Sequence, residues 1–107
     1  MKITDIRTIV VGNPWKNWVF VIVETSDGIS GLGEATGGLS TMPNKEAVEE
    51  IKHLAIGKNP LEISNIVDEL YKAVMLKITP AISAIEIACW DIFCLLYTSD
   101  AADEGLG

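Results

Sequence analysis

Polar and apolar residues alternate through the first dozen positions, with Lys2, Thr4, Asp5 and Arg7 set among Ile3, Ile6 and Ile9. That period of two predicts a strand over 2–11 with one face in water, as at the edge of a sheet. Residues 18–25, WVFVIVET, are apolar on both faces, which predicts a central, covered strand. Ser26-Asp27-Gly28 reads as a turn, with Gly28 suited to a positive φ. A third strand over 29–35 follows at once, and the three make an antiparallel meander.

From residue 44 the apolar period becomes helical. Val48, Ile51, Leu54 and Ala55 share one side of a helix over 44–56, which Gly57 closes. Asn59 caps a second helix over 61–76, with Pro60 at its first position. Ile63, Ile66, Val67, Leu70, Tyr71 and Val74 form its apolar face. Thr79 and Pro80 repeat the cap-and-proline signal for a third helix over 80–93. Its only charges are Glu86 and Asp91, so it is expected to be buried nearly all round. The first two helices are expected to cover the sheet, leaving the third to pack on something large. The fold class is therefore α+β, a three-stranded antiparallel meander followed by three helices.

Length and charge narrow the field. A chain of 107 residues is one domain at most, and an apolar fraction of 49% is ample for a core. The net charge of −7 makes nucleic acid and anionic membranes poor partners. No unbroken apolar run reaches the ~18 residues of a membrane span, and the alternating N-terminus lacks a signal-peptide core. A cytoplasmic location is expected. Cys89 and Cys94 lie about 140° apart around a helix and are not expected to bridge.

Several patterns invite a chemical reading that the residues do not sustain. Gly31-Leu32-Gly33 with Gly37 and Gly38 lies on a hairpin arm rather than at a strand–turn–helix junction, so close backbone packing is expected instead of phosphate binding. Glu50-Ile51-Lys52-His53 has the spacing of one half of a di-metal motif. Such a site needs two copies, so a solvated charged face is expected. His53 is the only histidine and has no nucleophile beside it in sequence, which removes a hydrolase triad. Glu34, Glu86 and Asp91 sit among apolar residues, where each is expected to bond backbone or a neighbour across a packing surface. Trp15 and Trp18 flank Lys16 and Asn17, a set suited either to a polar ligand or, for Trp18, to anchoring a strand.

With meander, loops and helices in this order, the chain resembles the N-terminal capping domain of the enolase superfamily. The resemblance is to the mandelate racemase/muconate lactonizing enzyme group, including its sugar-acid dehydratases. It rests on MKITDIRT at the start, VFVIVETSDGISGLGEAT at 19–36, IGKNP at 56–60 and AISAIEIACWDI at 81–92. It implies that residues 1–93 are a capping domain, with 80–93 leading into a (β/α) barrel absent from this chain. The barrel of such enzymes binds Mg²⁺ through carboxylates and removes the proton α to a substrate carboxylate with a Lys or His base. No catalytic or metal residue then falls within this chain. The loops 12–17 and 36–43 close over the substrate, so Trp15, Lys16, Asn17, Leu39, Ser40, Thr41 and Met42 are the implied substrate-binding residues. The parent is expected to be an Mg²⁺-dependent sugar-acid dehydratase and a homo-oligomer, taking a small carboxylate substrate, with this fragment inactive. A racemase, epimerase or cycloisomerase is the alternative within the family, and a free-standing α+β binding module the alternative outside it.

Residues 94–107 depart from the family pattern. CLLYTSDAADE at 94–104 matches, codon by codon, a translated sequencing-library adapter. The stretch 94–107 is therefore read as a non-native tail, without defined structure past about 98. Stranding the apolar helix before it is expected to make the isolated chain self-associate.

Overall fold

A computed structural model describes residues 1–12, 16–36, 41–73 and 79–105, with side chains described as far as Thr98. Strands β1 (Ile3–Gly12), β2 (Asn17–Thr25) and β3 (Ser30–Glu34) form one sheet in the order β1-β2-β3, antiparallel throughout. Three helices follow, α1 (Thr41–Ile51), α2 (Ile63–Ala73) and α3 (Thr79–Gly105), with a 3-10 turn at Lys52–Leu54. The α+β meander with three helices is thus the fold. Gly28 and Gly57 take the positive φ angles, 83° and 91°, that their turn and helix-end positions require.

The register sorts the strands into two faces. Ile6, Thr8 and Val10 share the inner face with Val19, Val21 and Val23 and with Gly31 and Gly33. Among these Ile6, Val19, Val21 and Val23 are fully buried. β2 is central, as its composition predicts, yet only one side of it is covered. Trp18, Phe20 and Ile22 on the other face are half-buried.

The helix that covers the sheet differs from the expectation. α3 lies along β3 and β2, α1 packs on β1 and β2, and α2 packs against α3 and the 3-10 turn. The cause is the small residues at the contact. Gly31 and Gly33 leave no side chains on the inner face of β3, and Ala84 and Ala88 meet them from α3. That close approach lets Ala81, Ile82, Ala84, Ile85, Ala88, Cys89 and Ile92 all reach full burial within the chain's own core. Only the opposite side of α3 is left without a cover, with Trp90 and Phe93 47% and 43% exposed. The helix needs less from outside than its composition implies.

Element ends differ in instructive ways. α1 starts at Thr41, three residues early, because Pro43 falls in its first turn, where no backbone N–H is needed. Asn59 does not cap α2, which begins only at Ile63; its Oδ1 accepts from Leu61 N at 2.9 Å in a turn that precedes the helix, and Val74 lies outside the described residues. α3 does not stop at 93 but runs on to Gly105. Residues 94–104 contain Leu, Ala and Glu and neither glycine nor proline, so nothing in them breaks a helix. The tail thus has regular backbone, against the expectation of none past 98. The window Thr79–Thr98, with a mean hydropathy of 1.6, is long and apolar enough to cross a membrane by length and composition. Of that window, 39% is buried within the chain's own core.

Candidate functional site

Both irregular loops leave the sheet at one end. Gly12 and Asn17 form the last rung of β1 and β2, and the Asn17 side-chain oxygen fills the space a Cβ on Gly12 would occupy. On the neighbouring side, Ala35 N donates to Val19 O at 2.8 Å and Val19 N donates to Thr36 Oγ1 at 3.1 Å. Asn44 Nδ2 then donates to Ala35 O at 2.8 Å, which ties the first turn of α1 to the end of β3. Thr36 and Asn44 therefore hold the root of the second loop. Sequence reasoning passed over both, although an amide and a hydroxyl beside a glycine-rich loop are the usual donors and acceptors for such a root.

Of the seven proposed rim residues, Lys16, Asn17, Thr41 and Met42 are described. Trp15, Leu39 and Ser40 lie outside the described residues. The Lys16 ammonium stands 5.4 Å from the centroid of the Trp18 ring, within cation–π range. Trp18 is half-buried on β2, so it anchors the strand while presenting its ring to Lys16. Met42 is exposed and Thr41 half-buried at the start of α1. The backbone brings the two loop roots to one end of the sheet, and that shared end is what relates them.

The remaining titratable groups serve structure. Asp91 Oδ2 accepts from Leu32 N at 2.9 Å, the cross-surface backbone bond expected of it. Lys52 turns inward instead of lining a solvated face. Its Nζ lies 3.0 Å from Glu49 Oε2 and 3.5 Å from Asp5 Oδ1 and donates to Ile6 O at 3.2 Å. Glu49 also accepts from Thr8 Oγ1 at 2.9 Å. The hydrogen bond from Lys52, then that from Thr8, holds the Glu49 carboxyl below the usual carboxylate range, and the bond to Glu49 raises the Lys52 ammonium in turn. Burial, with a smaller push from Glu86, raises the Cys89 thiol to about 11, so it stays protonated and unreactive near neutrality. Cys89 and Cys94 are both free. Glu50 and His53 are exposed. Among the described residues no three His, Cys, Asp or Glu side chains converge to hold a metal ion, so these residues do not fit Mg²⁺.

The arrangement so far is a scaffold that presents two loops, and comparison with known proteins says which one. The profile of the mandelate racemase/muconate lactonizing enzyme N-terminal domain matches residues 6–95. The chain belongs to that family. Within it, the chain is 38% identical over 97 residues to a D-galactonate dehydratase family member from Oceanicola granulosus, covering 86% of this chain and 24% of the relative. It is 36% identical over 98 residues to the D-xylonate dehydratase of Haloferax volcanii, covering 85% and 23%. The solved 3,6-anhydro-D-galactonate cycloisomerase of Zobellia galactanivorans superposes with a TM-score of 0.83 at 26% identity, over 91% of this chain and 29% of that one. The chain spans about a quarter of the length of the curated relatives it matches. As an N-terminal domain of the mandelate racemase/muconate lactonizing enzyme family, it has the sheet and helices of the family.

Proposed function

We propose that this chain is the capping portion of an Mg²⁺-dependent sugar-acid dehydratase. The observation that carries the reading is the identity of 38% and 36% to relatives named for D-galactonate and D-xylonate dehydration. In this reading residues 1–93 are the capping domain, 94–107 are a non-native tail, and the barrel with the Mg²⁺ ligands and catalytic base lies outside the chain. The end of the family match at residue 95 supports that boundary. The uncovered side of α3, with Ile87, Trp90 and Phe93, is the surface that meets the barrel. The chain itself supplies substrate selection. Lys16 offers a cation to a carboxylate, Asn17 and Thr41 offer hydrogen bonds to hydroxyls, and Met42 and Trp15 exclude water as the loops close. We propose a cytoplasmic location for the parent.

The test is a chimera in which residues 1–93 replace the corresponding segment of the Oceanicola relative. Loss of water from D-galactonate or D-xylonate, dependent on added Mg²⁺, is the expected result. A folded chimera that instead racemises or cycloisomerises acids, or turns over no acid at all, overturns the reading. The cycloisomerase likeness keeps isomerisation as the second reading within the family.

A further inference from the structure

The two edges of the sheet are finished differently. β3 is five residues long, and the Asp91 carboxylate takes the outward N–H of Leu32. A short, capped edge is protected against pairing. β1 is ten residues long and is guarded only in its first half. There Ile6 N donates to Asp5 Oδ1 at 2.8 Å and Ile6 O accepts from Lys52 Nζ. Those two bonds show that the backbone of Ile6 points away from β2. By the alternation of an antiparallel ladder, Thr8, Val10 and Gly12 point the same way. Among the described residues nothing bonds these outward groups. The side chains beside them are bare too, with Ile9 40%, Val10 39% and Val11 47% exposed. Thr8–Gly12, TIVVG, is uncharged in a chain of net charge −7, and it is rich in β-branched residues.

We propose that the free edge of β1 pairs antiparallel with the same edge of a second copy of this chain, about a two-fold axis at Val10. A row of bare backbone donors and acceptors fits another strand. The second copy is the strand that the geometry selects. With the axis at Val10, Val10 faces its own counterpart and Thr8 faces Gly12 of the other copy, so every outward group on both copies is paired. Ile9 and Val11 fall opposite one another on the outer face and extend the apolar surface of Trp18, Phe20 and Ile22. Sliding the axis toward the N-terminus drives Ile6 into the pairing, where Lys52 and Asp5 already hold it. The neutral run is also the one stretch of this edge where two acidic chains approach without opposing charges. Because the β3 edges at both outer ends are only five residues long and have the central outward N–H of Leu32 taken by Asp91, the assembly is expected to stop at a six-stranded sheet. Five residues of strand make a small contact against the ~800 Å² per partner of a standard interface, so the dimer is weak and forms at high protein concentration.

Sedimentation equilibrium on the 107-residue chain carrying Trp90→Lys and Phe93→Lys tests this, since those changes remove the α3 face as a competing contact. The expected result is a monomer–dimer equilibrium with no larger species. Val10→Pro removes an N–H that makes no bond among the described residues and should weaken the dimer by about tenfold or more with an unchanged circular dichroism spectrum. Amide exchange on the Val10 parent chain gives a second readout independent of whether Val10→Pro folds. The Thr8, Val10 and Gly12 amides should gain protection as concentration rises. A chain that stays monomeric at the highest soluble concentration overturns the proposal. So does a dimer indifferent to Val10→Pro, or a dimer in which those amides exchange as fast as in the monomer; either outcome would assign the pairing to another surface.

Discussion

Gly33 lies so close beneath Ala84 that a Cβ on the glycine would overlap the alanine carbonyl oxygen. Gly31 stands in the same relation to Ala88 one helical turn further on. The contact is backbone against backbone, so neither partner has a flexible end that can yield. Gly33→Ala should therefore lower the unfolding free energy by ~1–3 kcal/mol, the usual cost of overpacking. Urea denaturation followed by circular dichroism measures it. A loss no larger than that of Ser30→Ala, at the start of the same strand, would show that α3 shifts away freely.

The Glu49–Lys52 pair should leave a mark on the pH dependence of stability. Glu49 is held below its unfolded value, so its contribution is present above ~pH 4.3 and is lost as pH falls through the folded value. Lys52 is raised, so its contribution is complete below ~pH 10.4 and is lost as pH climbs through the folded value. Both side chains are partly exposed, and the pair is worth ~0.5–1 kcal/mol. Glu49→Gln should flatten the acid limb of a Tm-against-pH curve relative to the parent chain. Identical acid limbs would place the stabilising contacts elsewhere.

How much of this was legible depends on which residues carried the signal. The meander was, because alternation in β1, the apolar run of β2 and Ser26-Asp27-Gly28 each name a strand or turn by local rules. The position of α3 was not. Its apolar residues surround the helix, so periodicity alone gives no direction, and the clue was the match between Gly31-x-Gly33 on a strand and Ala84-x-x-x-Ala88 on a helix. Such a match is a relation between distant segments that no local window contains. The loop roots were legible as interruptions between elements. Asn44 and Thr36 were not, since their bonds to Ala35 and Val19 need the closed sheet end.

The tail can be weighed by truncation. Leu96 packs half-buried on the core, and with Leu61, Phe93 and Tyr97 it lines a groove of about 210 Å³. A chain ending at Thr98 should match the full chain in Tm. One ending at Phe93 should lose ~1 kcal/mol through the contact of Leu96. Equal stability of all three would mean that Leu96 is a bystander.

The uncovered side of α3 makes a prediction about solubility. Trp90 and Phe93 stack edge to face with centroids 5.6 Å apart, and Tyr97 stacks on Phe93 at 6.5 Å. Neither Trp90 nor Phe93 belongs to the buried core. Trp90→Lys with Phe93→Lys should raise the soluble yield of the isolated chain and leave the urea midpoint nearly unchanged. A large drop in the midpoint would show that the aromatic row supports the helix.

In the chimera that tests the function, Lys16→Ala should lower kcat/KM on a sugar acid by about tenfold, the loss of one charge-assisted contact. Melting temperature should stay within the spread of surface substitutions. Turnover of the acid, together with inhibition by its uncharged lactone, separates the roles. An equal loss on both would remove Lys16 from carboxylate recognition.

The contact of α3 with β3 also sets an order of events during synthesis. The ribosome makes the sheet first and the helix that lies against it last. Until Ala84 and Ala88 have emerged, β3 presents two bare glycines, and Val19, Val21 and Val23 have only α1 to shelter them. Closure of the sheet is thus a late, long-range step for the nascent chain. A pause in translation before α3 emerges would leave a half-covered sheet in the hands of chaperones, whereas one after Ile92 has cleared the ribosome would find the core complete.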